Sequence, residues 1–141
     1  MGRFIILLII ITVKIGKTMF FTLMIVLLKL IKKQTLNIFF VKEGTRRIEA
    51  HAFGLCENVK SITIPDSVEE IEEEAFRDCK ALREVKFGSG LEEIGDEAFR
   101  GCRNLRDIVL PEGLEEIGDE AFRGCVNLIA AEIPESVEAI G

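Results

Sequence analysis

One spacing, 23 residues, constrains this chain more than anything else in it. Ile48, Ile71, Ile94, Ile117 and Ile140 fall on it, as do Ala52-Phe53, Ala75-Phe76, Ala98-Phe99 and Ala121-Phe122. Cys56, Cys79, Cys102 and Cys125 make a third column. A fixed period of this size marks a solenoid, in which each unit buries its apolar face only by stacking on its neighbours. The register also reaches upstream. Residues 41–48 match residues 110–117 three periods later, and Leu36, Phe39 and Val41 share the columns of Leu105, Ile108 and Leu110. One period earlier Lys29 and Lys33 fall where Ala and Cys belong, so the solenoid is expected over residues 34–141, as a half repeat followed by four repeats. Downstream the chain stops at Ile140-Gly141 without a visible C-terminal capping repeat, which suggests an array that continues or is covered by another chain.

A single unit reads as strand, turn and a short return. In residues 105–110 the apolar Ile108 and Leu110 alternate with the period of 2 of a strand. Pro111-Glu-Gly breaks it, as Pro65-Asp-Ser, Gly88-Ser-Gly and Pro134-Glu-Ser do in the other units. Leu114 and Ile117 turn inward again. Residues 119–125, acids first and Gly124 late, predict a single helical turn or short helix. Identical coils of this kind stack their strands in parallel, about 4.8 Å apart.

The unit resembles the BspA-like class of leucine-rich repeat, with its pattern L-x-x-I-x-I-P-x-x-V-x-x-I-x-x-x-A-F-x-x-C. Gly88 in place of Pro and Ala131 in place of the strand Ile are the departures. The resemblance implies an α/β repeat solenoid: a leucine-rich-repeat horseshoe with a parallel sheet on its concave face and short helices or turns on the convex side. It also implies a non-enzymatic, surface-displayed or secreted protein that adheres to host or matrix proteins; a cytoplasmic protein is the alternative if the N-terminal segment is no leader.

Charge divides the chain in two. Residues 1–47 carry nine Lys or Arg and one acid, a charge of +8; residues 48–141 carry nine bases and 23 acids, a charge of −14. The acidic repeats do not suit nucleic-acid binding, which needs a cationic footprint. Residues 1–33 are a basic, hydrophobic segment, with apolar runs over 4–13 and 18–28 interrupted by Lys14 and Lys17. Each run is shorter than the roughly 20 residues of a membrane span, and joined they place both lysines near the bilayer centre. A leader or anchor, a start site assigned too early, and a degenerate capping segment all fit. Any membrane contact is therefore expected through residues 4–28 alone. A fragment of a larger repeat protein, structural or without independent function, is the competing reading of the whole chain.

Sites of chemistry are sparse. Zinc ligands need close spacing such as C-x-x-C, whereas these cysteines are always 23 apart. They read first as small buried plugs, with stacked disulfides or a metal as alternatives. His51, the one histidine, lies in the column of Glu74, Glu97 and Glu120 and reads as solvated. The Phe column reads as a stacked spine. No nucleophile–base constellation or phosphate loop appears, and no cofactor is implied. The remaining candidate is the outward face of the strands: Ser61, Glu84, Asp107 and Ala130 in one column, Thr63, Lys86, Val109 and Glu132 in the next, flanked by Lys60, Arg83 and Arg106. This mixture of charge and small side chains suits a protein partner.

Overall fold

The computed structural model describes residues 38–141. Ten short strands follow one another: β1 (Ile38–Phe40), β2 (Arg47–Ile48), β3 (Ser61–Thr63), β4 (Glu70–Ile71), β5 (Glu84–Lys86), β6 (Glu93–Ile94), β7 (Asp107–Val109), β8 (Glu116–Ile117), β9 (Ala130–Glu132) and β10 (Ala139–Ile140). They form two five-stranded sheets, β1-β3-β5-β7-β9 and β2-β4-β6-β8-β10. Every pairing is parallel and every partner lies 23 residues away, as in Ile62↔Val85↔Ile108 and Ile48↔Ile71↔Ile94↔Ile117. The sequence period is therefore the rise from coil to coil.

Alternation sets the first sheet. Phe39, Ile62, Val85 and Ile108 point inward and are buried, while their neighbours on each strand face outward. In the second sheet Ile48, Ile71, Ile94 and Ile117 are buried. Between the sheets run Leu82, Leu91, Leu105, Leu114 and the Phe column. Phe53, Phe76 and Phe99 stack with centroids 4.9 Å apart and planes 7° from parallel, and Phe122 continues the stack at 5.3 Å. That separation equals the spacing of hydrogen-bonded strands, so the sheets set the ring stacking.

The helix expected over residues 119–125, and in the equivalent stretches, is not formed; among the described residues there is no helix. The third side of each coil is an arc of turns whose hydrogen bonds alternate. In the first arc Ala52 N, Gly54 N and Cys56 N donate to the carbonyl three residues back, at 3.0–3.1 Å. The intervening His51 N, Phe53 N and Leu55 N donate to Glu73 O, Ala75 O and Arg77 O of the next coil, at 3.2, 2.7 and 2.9 Å. Glu74 N, Phe76 N and Asp78 N repeat this one coil later. An α-helix needs each N–H for the carbonyl four residues back. Here half of them hold the neighbouring coil, so the arc is a third ladder. Its backbone is left-handed at His51, Glu74, Glu97 and Glu120, with φ from 51 to 58°.

Candidate interaction surface

The first sheet carries the candidate columns where the sequence places them. Ser61↔Glu84↔Asp107↔Ala130 and Thr63↔Lys86↔Val109↔Glu132 are aligned by the strand register. Ser61 Oγ donates to Glu84 Oε2 at 3.3 Å, and Lys86 Nζ lies 3.5 Å from Glu84 Oε1. Val109 is 82% exposed, an aliphatic side chain presented to solvent beside charged neighbours. Lys60, Arg83 and Arg106 are exposed along the edge of the sheet. Two members of the face were missed in the sequence: Ile38 and Phe40, 50% and 39% exposed, pair with Ser61 and Thr63. A shift of one period from those two residues would have found them.

The second sheet and the arc carry charge of a different order. On the second sheet Glu70, Glu93 and Glu116 stand in register, and burial, followed by the charges of Glu70 and Glu116, raises the Glu93 carboxyl above its ordinary value. Arg47 lies 2.7 Å from Glu70 and 3.4 Å from Glu72. On the arc, Arg77 bridges Glu74 at 2.7 Å and Glu97 at 3.1 Å, and Arg100 bridges Glu97 at 2.8 Å and Glu120 at 3.2 Å. Arg123 closes on Glu120. Arg77 and Arg100 thus tie their own coils to the next, whereas Arg123 pairs within its own coil, and hydrogen bonding to Glu74 raises the Arg77 pKa. His51 is exposed at the head of this row, with Nδ1 3.3 Å from Glu74 Oε2.

The four cysteines are buried thiols, with no disulfide between them. Cys79, Cys102 and Cys125 donate to the carbonyl oxygens of Phe53, Phe76 and Phe99, at 3.0, 3.2 and 3.2 Å. They plug the core and bond the preceding coil at once. A hydrogen bond with Cys56, then burial, raises the Cys79 thiol; burial raises Cys102 and pushes Cys125 up to about 11 from 9.0. Since only the thiolate attacks disulfide reagents, the buried thiols of the native chain should react with Ellman's reagent at pH 8 at least about tenfold more slowly than in urea-unfolded protein. Rapid labelling of the native chain would contradict the burial described. The sign of the linkage follows: Cys125 contributes stability below its ordinary value of 9.0, and that contribution is lost as pH rises through about 11. Among the described residues no three His, Cys, Asp or Glu converge as a metal would require.

Among the described residues no helix is long and apolar enough to cross a membrane, and residues 1–33, with their apolar stretch 4–28, lie outside that description. The chain is similar to a leucine rich cell surface protein from Faecalibacterium prausnitzii A2-165, with 40% identity and a TM-score of 0.72. The match covers 75% of this chain and 28% of that one. A leucine-rich repeat protein from Bacteroides ovatus ATCC 8483 matches at 27% identity and a TM-score of 0.59, over 73% of this chain and 32% of its own. The T. pallidum leucine rich repeat protein matches at 26% and 0.54, over 72% and 60%. The chain thus spans about a third or less of the first two. No curated protein matches it. Six copies of the BspA type leucine rich repeat are matched over residues 29–141, and the chain belongs to that family.

Proposed function

We propose that this chain is a non-enzymatic module for protein–protein contact, secreted or at the cell surface, docking through the outward face of the first sheet. The observation that carries the reading is the contrast between columns. Those facing the core repeat Ile, Phe and Cys with little change, whereas the outward ones run from Ile38 and Phe40 through Ser61 and Thr63 to Glu84, Lys86, Asp107 and Val109. Ile38, Phe40 and Val109 give this face apolar area, set among charged side chains, for a partner to bury. Solenoids present such extended surfaces for binding, and the Faecalibacterium relative described as a cell surface protein supports the compartment. Host or matrix proteins are the partners proposed, and the division between residues 1–33 and the solenoid at 34–141 belongs to the same reading.

The test is the triple charge reversal Arg83→Glu, Lys86→Glu and Arg106→Glu. Capture on a panel of immobilised matrix proteins should fall at least about tenfold, because rim charges govern encounter and register. The melting temperature should stay within a few degrees, since all three side chains are exposed. Undiminished capture would remove the assignment of this face.

A further inference from the structure

The ion pairs of this protein are distributed unevenly. Arg46, Arg47, Arg77, Lys86, Arg100 and Arg123 each have a carboxylate within 4 Å. Besides the partly buried Lys42, five described cations enter no ion pair, Lys60, Lys80, Arg83, Arg103 and Arg106, although the repeats hold 23 acids against nine bases. All five are exposed. They also share a place: Lys60, Arg83 and Arg106 form one column beside the first sheet, and Lys80 and Arg103 form another three residues earlier in the coil. Successive coils are about 4.8 Å apart, which places these five positive charges on a strip about 10 Å long, with the exposed Glu57 heading the Lys80 column in the coil of Lys60.

One coil further both columns become aliphatic. Val126 continues the Lys80 column and Ile129 the Lys60 column, at 75% and 80% exposure. Their columns point outward in every coil, so the exposure follows from the direction of the side chain. Val109 lies nearby on the sheet.

We propose that this strip docks an acidic segment of a partner protein that carries aliphatic residues at one end. Its cations lack internal partners, which spares an incoming carboxylate the cost of displacing one. The aliphatic end gives a polypeptide apolar area to bury, whereas a sulfated glycan has none to offer. Glu84 and Asp107 beside the strip would also repel a uniform polyanion. The inference rests on the proposed function, deepening it from a face to a class of partner.

The experiment measures fluorescence anisotropy of a labelled synthetic peptide, alternating Glu and Ser and ending in Leu-Val-Leu, against the full chain. A Lys-for-Glu peptide and a heparin oligosaccharide serve as comparisons. Lys80→Glu/Arg103→Glu should weaken the Glu peptide at least about tenfold, and Val126→Ser/Ile129→Ser about threefold or more. Salt should weaken binding to the wild type steeply as the Debye length shortens. Equal binding of the Lys peptide, or no effect of Lys80→Glu/Arg103→Glu, would overturn the strip. So would heparin binding more tightly than the Glu peptide and indifferent to Val126→Ser/Ile129→Ser, which would reassign the strip to a glycan. Lys80 and Arg103 lie outside the triple reversal above. Because the triple shares Arg83 and Arg106 with the strip, the Lys80→Glu/Arg103→Glu pair decides: lost matrix capture in the triple with unchanged Glu-peptide binding in the pair refutes the strip and keeps the sheet, while weakened Glu-peptide binding in the pair with normal matrix capture in the triple keeps the strip and removes the matrix-binding face.

Discussion

Phe99→Ala should lower the free energy of unfolding by about 3–5 kcal/mol, the range for a fully buried Phe whose cavity cannot collapse. Phe99 has no exposed surface, stacks on Phe76 and Phe122, and meets the edge of Phe87 at 5.8 Å. Rigid ladders on three sides of the coil hinder any closure of the gap. Phe122→Ala offers an internal control: its ring is only half-buried and rests on one stacked neighbour, so its loss should be clearly smaller. Urea unfolding of the two variants followed by circular dichroism makes the comparison. Because coils contact only their neighbours, Phe99→Ala should also broaden the transition, uncoupling the coils on either side. Equal losses for the two variants would show that the spine does not carry the core.

Gly88→Pro should destabilise the protein by about 1–3 kcal/mol even though proline is what the repeat pattern puts in that column. A Cβ at position 88 would overlap the carbonyl carbon and oxygen of Pro65 and sit 2.5 Å from Asp66 N. Those are backbone atoms of the neighbouring coil and cannot swing aside as a flexible side chain can. The preceding residue explains the exception. Phe87 stands where Ile64 and Leu110 are buried, yet it is only partly buried and turns its edge to Phe99. The larger ring is accommodated where the next residue has no side chain, and Ser89 N then bonds Asp66 Oδ1 at 2.7 Å. Gly88→Ala should show most of the same loss, which separates the overlap from effects of the proline ring. A gain in melting temperature for Gly88→Pro would refute this account.

Much of the architecture was legible because core columns constrain residue type strongly. Phe53, Phe76, Phe99 and Phe122 read as a spine at that period, and the Cys column read first as interior plugs. The strand face followed from alternation around Ile62, Val85 and Ile108. The second sheet was hidden for a physical reason: its strands are two residues long, as in Glu93–Ile94, too short to display a period of 2. The arc was mistaken for a helix because its composition suits one, with acids early and Gly124 late. What decides against it is hydrogen bonding between coils, which leaves no mark on residue type. The left-handed backbone at Glu97 and Glu120 was equally hidden, since glutamate does not announce a positive φ. Of the candidate surface, the columns were legible and the pairing state of their charges was not. That Arg100 is tied twice while Arg103 is not depends on which coil edge holds the glutamates.

Three ladders per coil, all closing on a partner 23 residues away, have a consequence for how such a surface changes in length. Removing or duplicating one whole unit leaves the backbone ladders, the ring stack and the thiol–carbonyl contacts with equivalent partners, whereas a change of any other size breaks all three ladders together. Reach is therefore quantised at about 4.8 Å per unit, and each new unit arrives with outward positions that the core does not read. A lineage can lengthen the outward face by whole repeats and vary its residues afterwards, without changing how the molecule folds.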